Sequence, residues 1–102
     1  MPYEIEFTTE SLEDLKLLRP IDRGKVINAI ETYLLHNPSQ ESKSRIKRLR
    51  EMEKPQYRLR VDEIRIFYDI RDNFVEIIVI VPKSQAAEWL LRQGKTTEST
   101  EE

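Results

Sequence analysis

Residues 57–68 read Tyr-Arg-Leu-Arg-Val-Asp-Glu-Ile-Arg-Ile-Phe-Tyr, two alternating runs with only Asp62-Glu63 between them. Successive side chains of a strand point to opposite faces, so Tyr57, Leu59 and Val61 share one face while Arg58 and Arg60 share the other. Ile64, Ile66, Tyr68 and Ile70 repeat the pattern, with Arg65, Phe67 and Asp69 on the alternate positions. A two-residue connection makes a tight antiparallel hairpin, here without the usual glycine. Burying the apolar sets in one core therefore sends Arg58, Arg60 and Arg65 outward together. The guanidinium groups converge within about two residue spacings.

Around this hairpin the pattern predicts an α+β fold. Residues 3–7 alternate as a half-buried strand. Thr8, Thr9 and Ser11 are helix-capping candidates, and Leu12, Leu15 and Leu18 lie on one face of a helix that ends at Pro20. A longer helix begins near Ile21 or Asp22, carries Val26, Ile27, Ile30, Tyr33 and Leu34, and ends at Asn37-Pro38. The short turn between them predicts an antiparallel helix hairpin. Residues 39–44 are loop-like, 45–50 form a weakly patterned strand, and 74–81 are apolar on both faces, as in a central strand. Ser84 caps a short C-terminal helix that Gly94 ends. The expected architecture is a helix hairpin packed on one face of a small, mainly antiparallel, twisted β-sheet, with that short helix at the end. One domain spans 1–93, and a polar, acidic tail over 94–102 is expected to be disordered.

Composition narrows the function. The chain has 102 residues, the size of one domain, and 38% apolar residues, enough for one modest core. It has no cysteine, which excludes disulfides and thiolate metal sites and fits a reducing cytoplasm. The longest apolar run, 74–82, is interrupted by Glu76 and too short to cross a bilayer. Met1-Pro2-Tyr3-Glu4 does not begin an export signal, so a cytoplasmic location is expected. The net charge of −2 conceals an asymmetry: between Lys43 and Arg65 nine basic residues stand against four acidic ones. That segment carries +5 and the remainder −7, which points to a local basic patch for an anionic partner. Without a ligand, or carboxylates such as Asp69 and Glu76, the arginines repel one another. A planar guanidinium matches phosphate.

Arg48-Leu49-Arg50, Tyr57-Arg58-Leu59-Arg60-Val61, Ile64-Arg65-Ile66-Phe67-Tyr68 and Val75 to Val81 together resemble the RelE/ParE toxins of type II toxin–antitoxin pairs. That family's pattern is K-L-x-G, then Y-R-[IL]-R-x-G-x-Y-R-[IV]-x-Y, then an apolar strand; the resemblance covers about residues 3–92. It implies a RelE-like toxin that inhibits translation by binding mRNA at the ribosome, with cleavage as the RelE branch's further step. The partners implied are a cognate antitoxin, the ribosome and mRNA, with no membrane, metal or cofactor.

By this resemblance Arg48, Arg50, Arg58, Arg60 and Arg65 bind RNA, and Arg65, Arg60 and Lys83 are the catalytic candidates. RelE enzymes carry a second functional arginine after the last strand; here Pro82-Lys83-Ser84-Gln85 stands there and Lys83 supplies the charge. Their C-terminal tyrosine is replaced by the Glu88-Trp89-Leu90 region. His36, at the end of the second helix, is read as a surface residue, Tyr57 and Tyr68 as core, and Trp89 as packing with Ala86 and Leu90. Two alternatives stay open: a ParE-like, non-nucleolytic toxin acting on a topoisomerase, and a non-toxic member that binds an antitoxin.

Overall fold

A computed structural model describes residues 2–97. The chain runs β1 (Glu4–Phe7), α1 (Thr9–Leu17), α2 (Pro20–Leu34), β2 (Ile46–Arg48), β3 (Met52–Lys54), β4 (Tyr57–Val61), β5 (Ile64–Arg71), β6 (Phe74–Pro82), α3 (Lys83–Gln93) and β7 (Lys95–Thr96). The main sheet has the order β1-β6-β5-β4-β2, with β1 parallel to β6 and the other pairs antiparallel. This is the expected α+β sheet with a helix pair on one face.

The β4–β5 register pairs Val61 with Ile64, which leaves Asp62-Glu63 as the two-residue loop. Asp62 supplies the left-handed backbone that glycine would normally provide, at φ 53°. Leu59, Val61, Ile66, Tyr68, Val75, Ile77 and Ile80 meet Leu15, Val26, Ile30 and Leu34 in one core. Tyr68 is fully buried, stacks on Tyr57 at 5.5 Å and donates its hydroxyl to the Pro38 carbonyl at 2.6 Å.

Helix α1 is fastened to β6 at a register shift opposite Phe67 and Tyr68. Thr8 Oγ1 donates to the Ile78 carbonyl at 2.8 Å and Ser11 Oγ to that of Ile77 at 2.8 Å. Asp14 accepts the Ile80 amide at 3.0 Å. Pro20 is the first residue of α2, where its missing N–H costs nothing. Arg23 closes the corner by donating to the Leu15, Lys16 and Leu18 carbonyls.

The second sheet face differs from the expectation. Helix α3 lies on it, on the same side as the arginines, and Ala86, Trp89 and Leu90 pack against Phe67, Ile78, Val79 and Val81. The cause is Phe67, which points outward between Arg65 and Asp69 yet is only 1% exposed. Together with the two-faced β6 it makes an apolar strip that must be covered. Trp89 stacks on Phe67 with ring centroids 5.6 Å apart.

The weak strand expected over 45–50 reduces to Ile46–Arg48, and β3 follows it unannounced. Lys95–Thr96, inside the stretch expected to be a disordered tail, pair with β3. Gly94 makes this return feasible, since a Cβ there would collide with the Leu90 carbonyl and the Met52 side chain. The remainder of that tail, 98–102, lies outside the described residues.

Candidate functional site

Arg60 on β4 stands directly opposite Arg65 on β5, and Arg58 opposite Phe67. One strand further, Lys47 on β2 stands opposite Arg58. Cross-strand partners share a face, so Lys47, Arg58, Arg60 and Arg65 form one basic surface beside α3. The sequence reading missed Lys47, because its facing depends on the pairing of a three-residue strand.

The three arginines differ in environment. Arg65 is 7% exposed and donates from Nη1 to the Asp62 carbonyl at 2.8 Å and the Ile64 carbonyl at 3.1 Å. It fastens the hairpin tip to the patch. Arg58 is half-buried and its Nε is enclosed without a hydrogen-bond partner. Burial, then the charges of Arg65 and Arg60, push the Arg58 pKa below its ordinary value. Burial and Arg60 depress Arg65 likewise, against a smaller opposing effect of Glu63. Arginine remains charged through such shifts; burial contributes most to them, and the neighbouring guanidinium charges add to it.

Among the described residues no carboxylate lies within ion-pair distance of Arg58, Arg60 or Arg65. Asp69 and Glu76, the expected counter-charges, are instead held by Lys54 Nζ at 3.1 Å and 3.5 Å. Asp69 also accepts the Gln56 amide at 2.7 Å. Lys54 comes from β3, the strand that the sequence pattern did not reveal.

The other candidates separate. Arg48 stands opposite Tyr57 and hence on the core face. Its Nη1 donates to the Leu49 and Gln56 carbonyls at 3.1 Å and 2.7 Å, and its guanidinium lies 5.3 Å over the Tyr57 ring. It braces the β2–β3 connection and does not join the arginine surface. Arg50 is exposed in that connection. Lys83 opens α3; its amide donates to the Glu63 carbonyl at 2.7 Å, which sets it at the hairpin tip with its side chain exposed. His36 is exposed beyond the end of α2. Burial pushes the Tyr68 phenol far above its usual range.

A second surface was also missed. Ile5 and Phe7 of β1, Leu15 of α1 and Ile27, Ile30 and Leu35 of the α2 region line an apolar groove of about 310 Å³, with Glu31 on its rim. Ile27 is 40% exposed there. Its spacing puts it on the α2 core stripe, but the sheet edge at β1 leaves one side of that stripe uncovered.

No family model matches the chain, and no curated protein does. Solved structures do. The archaeal RelE–RelB complex from Pyrococcus horikoshii contains a chain with TM-score 0.68 and 18% identity, aligned over 83% of this chain and 99% of that one. The RelBE2 toxin–antitoxin complex from Mycobacterium tuberculosis gives 0.61 and 26%, over 80% and 99%. This chain has the RelE/ParE toxin fold. The YoeB dimer from Staphylococcus aureus is similar too, at 0.55 and 22%, over 78% and 94%. No described helix is long and apolar enough to cross a membrane.

Proposed function

We propose that this chain is a RelE-like toxin of a type II pair, acting in the cytoplasm by binding mRNA at the ribosome and so inhibiting translation. The observation that carries this reading is the uncompensated arginine surface, with the Arg58 Nε buried and unpartnered and Arg60 opposing Arg65. A phosphodiester placed there would accept from the guanidinium groups that reach the surface and offset the mutual repulsion. Phosphate contacts of this type give affinity without base identity. Arg58, Arg60 and Arg65 are the principal RNA contacts, with Lys47, Arg50 and Lys83 at the margins.

In the cleavage step that this reading allows, the ribose 2′-oxygen attacks the adjacent phosphorus. The 2′,3′-cyclic phosphate forms as the bond to the 5′-oxygen breaks. Arg65 and Arg60 would stabilise the charge that builds on the phosphoryl oxygens, and Lys83 would add an ammonium beside the hairpin tip. Arginines are poor proton acceptors, so the 2′-proton leaves to a group of the ribosome or to water, and the departing 5′-oxygen takes up a proton from the same sources. The loss of the RelE branch's second arginine and C-terminal tyrosine favours the ParE-like alternative, in which the toxin acts through protein contacts.

The apolar groove beside β1 suits a cognate antitoxin, whose amphipathic segment would cover Ile5, Phe7 and Ile27. The test is reporter synthesis in a translating extract, followed by primer extension on the reporter mRNA. The native chain should suppress synthesis, and Arg58→Ala/Arg60→Ala should relieve most of the suppression. Suppression undiminished in that double variant would overturn RNA binding by this surface and move the assignment to the ParE-like reading.

A further inference from the structure

A cleft of about 220 Å³ opens between α2 and the C-terminal end of β4, around the corner from the arginine surface. Its walls are Lys25, Asn28, Thr32 and Tyr33 of α2, with Arg45 and Asp62 from the sheet side. The spacing of the four α2 residues places them along one helix face. A second, shallower cleft of about 210 Å³ is lined by Ser44, Arg45, Arg60 and Asp62. The two share Arg45 and Asp62, so a continuous path leads from Arg60 over the sheet edge to Tyr33.

This path is built before any ligand arrives. The Arg45 guanidinium lies 5.3 Å over the Tyr33 ring, and its Nη1 donates to the Arg60 carbonyl at 3.1 Å. The Ser42 hydroxyl accepts the Arg45 and Ile46 amides and fixes the loop that carries Arg45. Asp62 Oδ2 takes the Lys25 ammonium at 3.1 Å, while Oδ1 has no partner among the described residues. Arg45 has no carboxylate partner among them either. The cleft thus offers a guanidinium plane for stacking, one free carboxylate oxygen and the Asn28 amide.

Those are the elements that read a splayed-out base in single-stranded RNA. We propose that this cleft is a base-reading subsite: a nucleotide whose phosphate lies on Arg60 turns its base over the sheet edge onto Arg45, where Asp62 and Asn28 accept hydrogen bonds from an exocyclic amine. A carboxylate accepts from the 4-amine of cytosine, whereas uracil turns a keto oxygen toward it at that position and offers only its N3–H, so amine-bearing bases are preferred. The proposal rests on RNA binding by the arginine surface and adds a sequence preference to it.

Anisotropy titrations of the full chain with ten-nucleotide oligo(C) and oligo(U) RNA test it. The native chain should bind oligo(C) at least about fivefold tighter. Asp62→Asn, a residue that also tolerates the φ of 53°, should shrink the ratio without weakening oligo(U), since its amide can donate to a keto oxygen as well as accept from an amine. Asn28→Ala should shrink the ratio in the same direction. Arg60→Ala should weaken both RNAs by a common factor and leave the ratio in place. A native ratio near one, or a ratio that survives both cleft variants, overturns the base-reading subsite while leaving the arginine surface intact. Failure of the native chain to bind either RNA removes the surface reading and this proposal together.

Discussion

Arg60 and Arg65 face each other across the β4–β5 hairpin as a directly opposed like-charge pair, yet only Arg65 is anchored, through the Asp62 and Ile64 carbonyls. Like charges in that position destabilise a sheet. Arg60→Gln is therefore expected to raise the unfolding free energy by about 0.5 kcal/mol at low salt. Urea denaturation at low and high ionic strength measures it. A gain that persists undiminished at high salt would mean that charge is not its origin.

The same substitution should weaken nucleic-acid binding, so stability and affinity move in opposite directions at this residue. For single-stranded RNA the logarithm of affinity falls with the logarithm of salt by about 0.7 for each phosphate neutralised. Arg60→Ala should reduce that slope by about 0.7, and Arg48→Ala should leave it unchanged because Arg48 points to the core face. Titrations at several salt concentrations separate the two variants.

Phe67 governs the seating of α3, since Ala86, Trp89 and Leu90 pack on the cluster it centres. Phe67→Ala is expected to cost about 3–5 kcal/mol and to loosen α3. Trp89 is the one tryptophan of the chain, so its fluorescence should shift toward the solvent-exposed limit even where the variant remains folded. An unshifted spectrum would show that α3 is held by something other than this stack.

The arginine face was legible because a period of two, repeated on either side of a two-residue turn, leaves no other arrangement for Arg58, Arg60 and Arg65. The apolar alternation also placed Tyr57 and Tyr68 in the core. What stayed hidden depended on elements too short to show a period. Strands β3 and β7 have three and two residues, and with β3 came Lys54, which takes the carboxylates expected to balance the arginines. The resemblance picks out Arg48 and passes over Lys47, whereas their facing is decided by which of them pairs with Tyr57 and which with Arg58. Phe67 held the clue to α3: a large aromatic at an outward position demands a cover.

Lys54 should govern the alkaline limb of stability. Burial lowers its pKa, but the hydrogen bond and charge of Asp69, then Glu76, outweigh that and leave it above the usual 10.5. A raised lysine stabilises the fold fully below its unfolded pKa, and the contribution is lost as pH rises through the folded value. Unfolding midpoints should therefore drop above about pH 10.5, and Lys54→Met should remove that part of the drop. The native profile repeated in the variant would exclude this ion pair as its cause.

Asp14 carries the opposite sign. Burial, with a smaller contribution from Glu10, raises its pKa above 3.8 despite the hydrogen bond from the Ile80 amide. The charged form is thus disfavoured by folding, and stability from this site increases as pH falls through the folded pKa toward the unfolded one. Asp14→Asn retains an oxygen that can accept from Ile80 and carries no charge to desolvate. It should match or exceed the native melting temperature at pH 7 and lack the native chain's gain on mild acidification. Asp14→Ala, which leaves the Ile80 amide without its acceptor, should be less stable than both at every pH. Thermal melts of the three proteins between pH 4 and pH 7 decide the matter: an Asn variant as damaged as the Ala variant would show that the carboxylate's charge, and not merely its oxygen, holds α1 to β6.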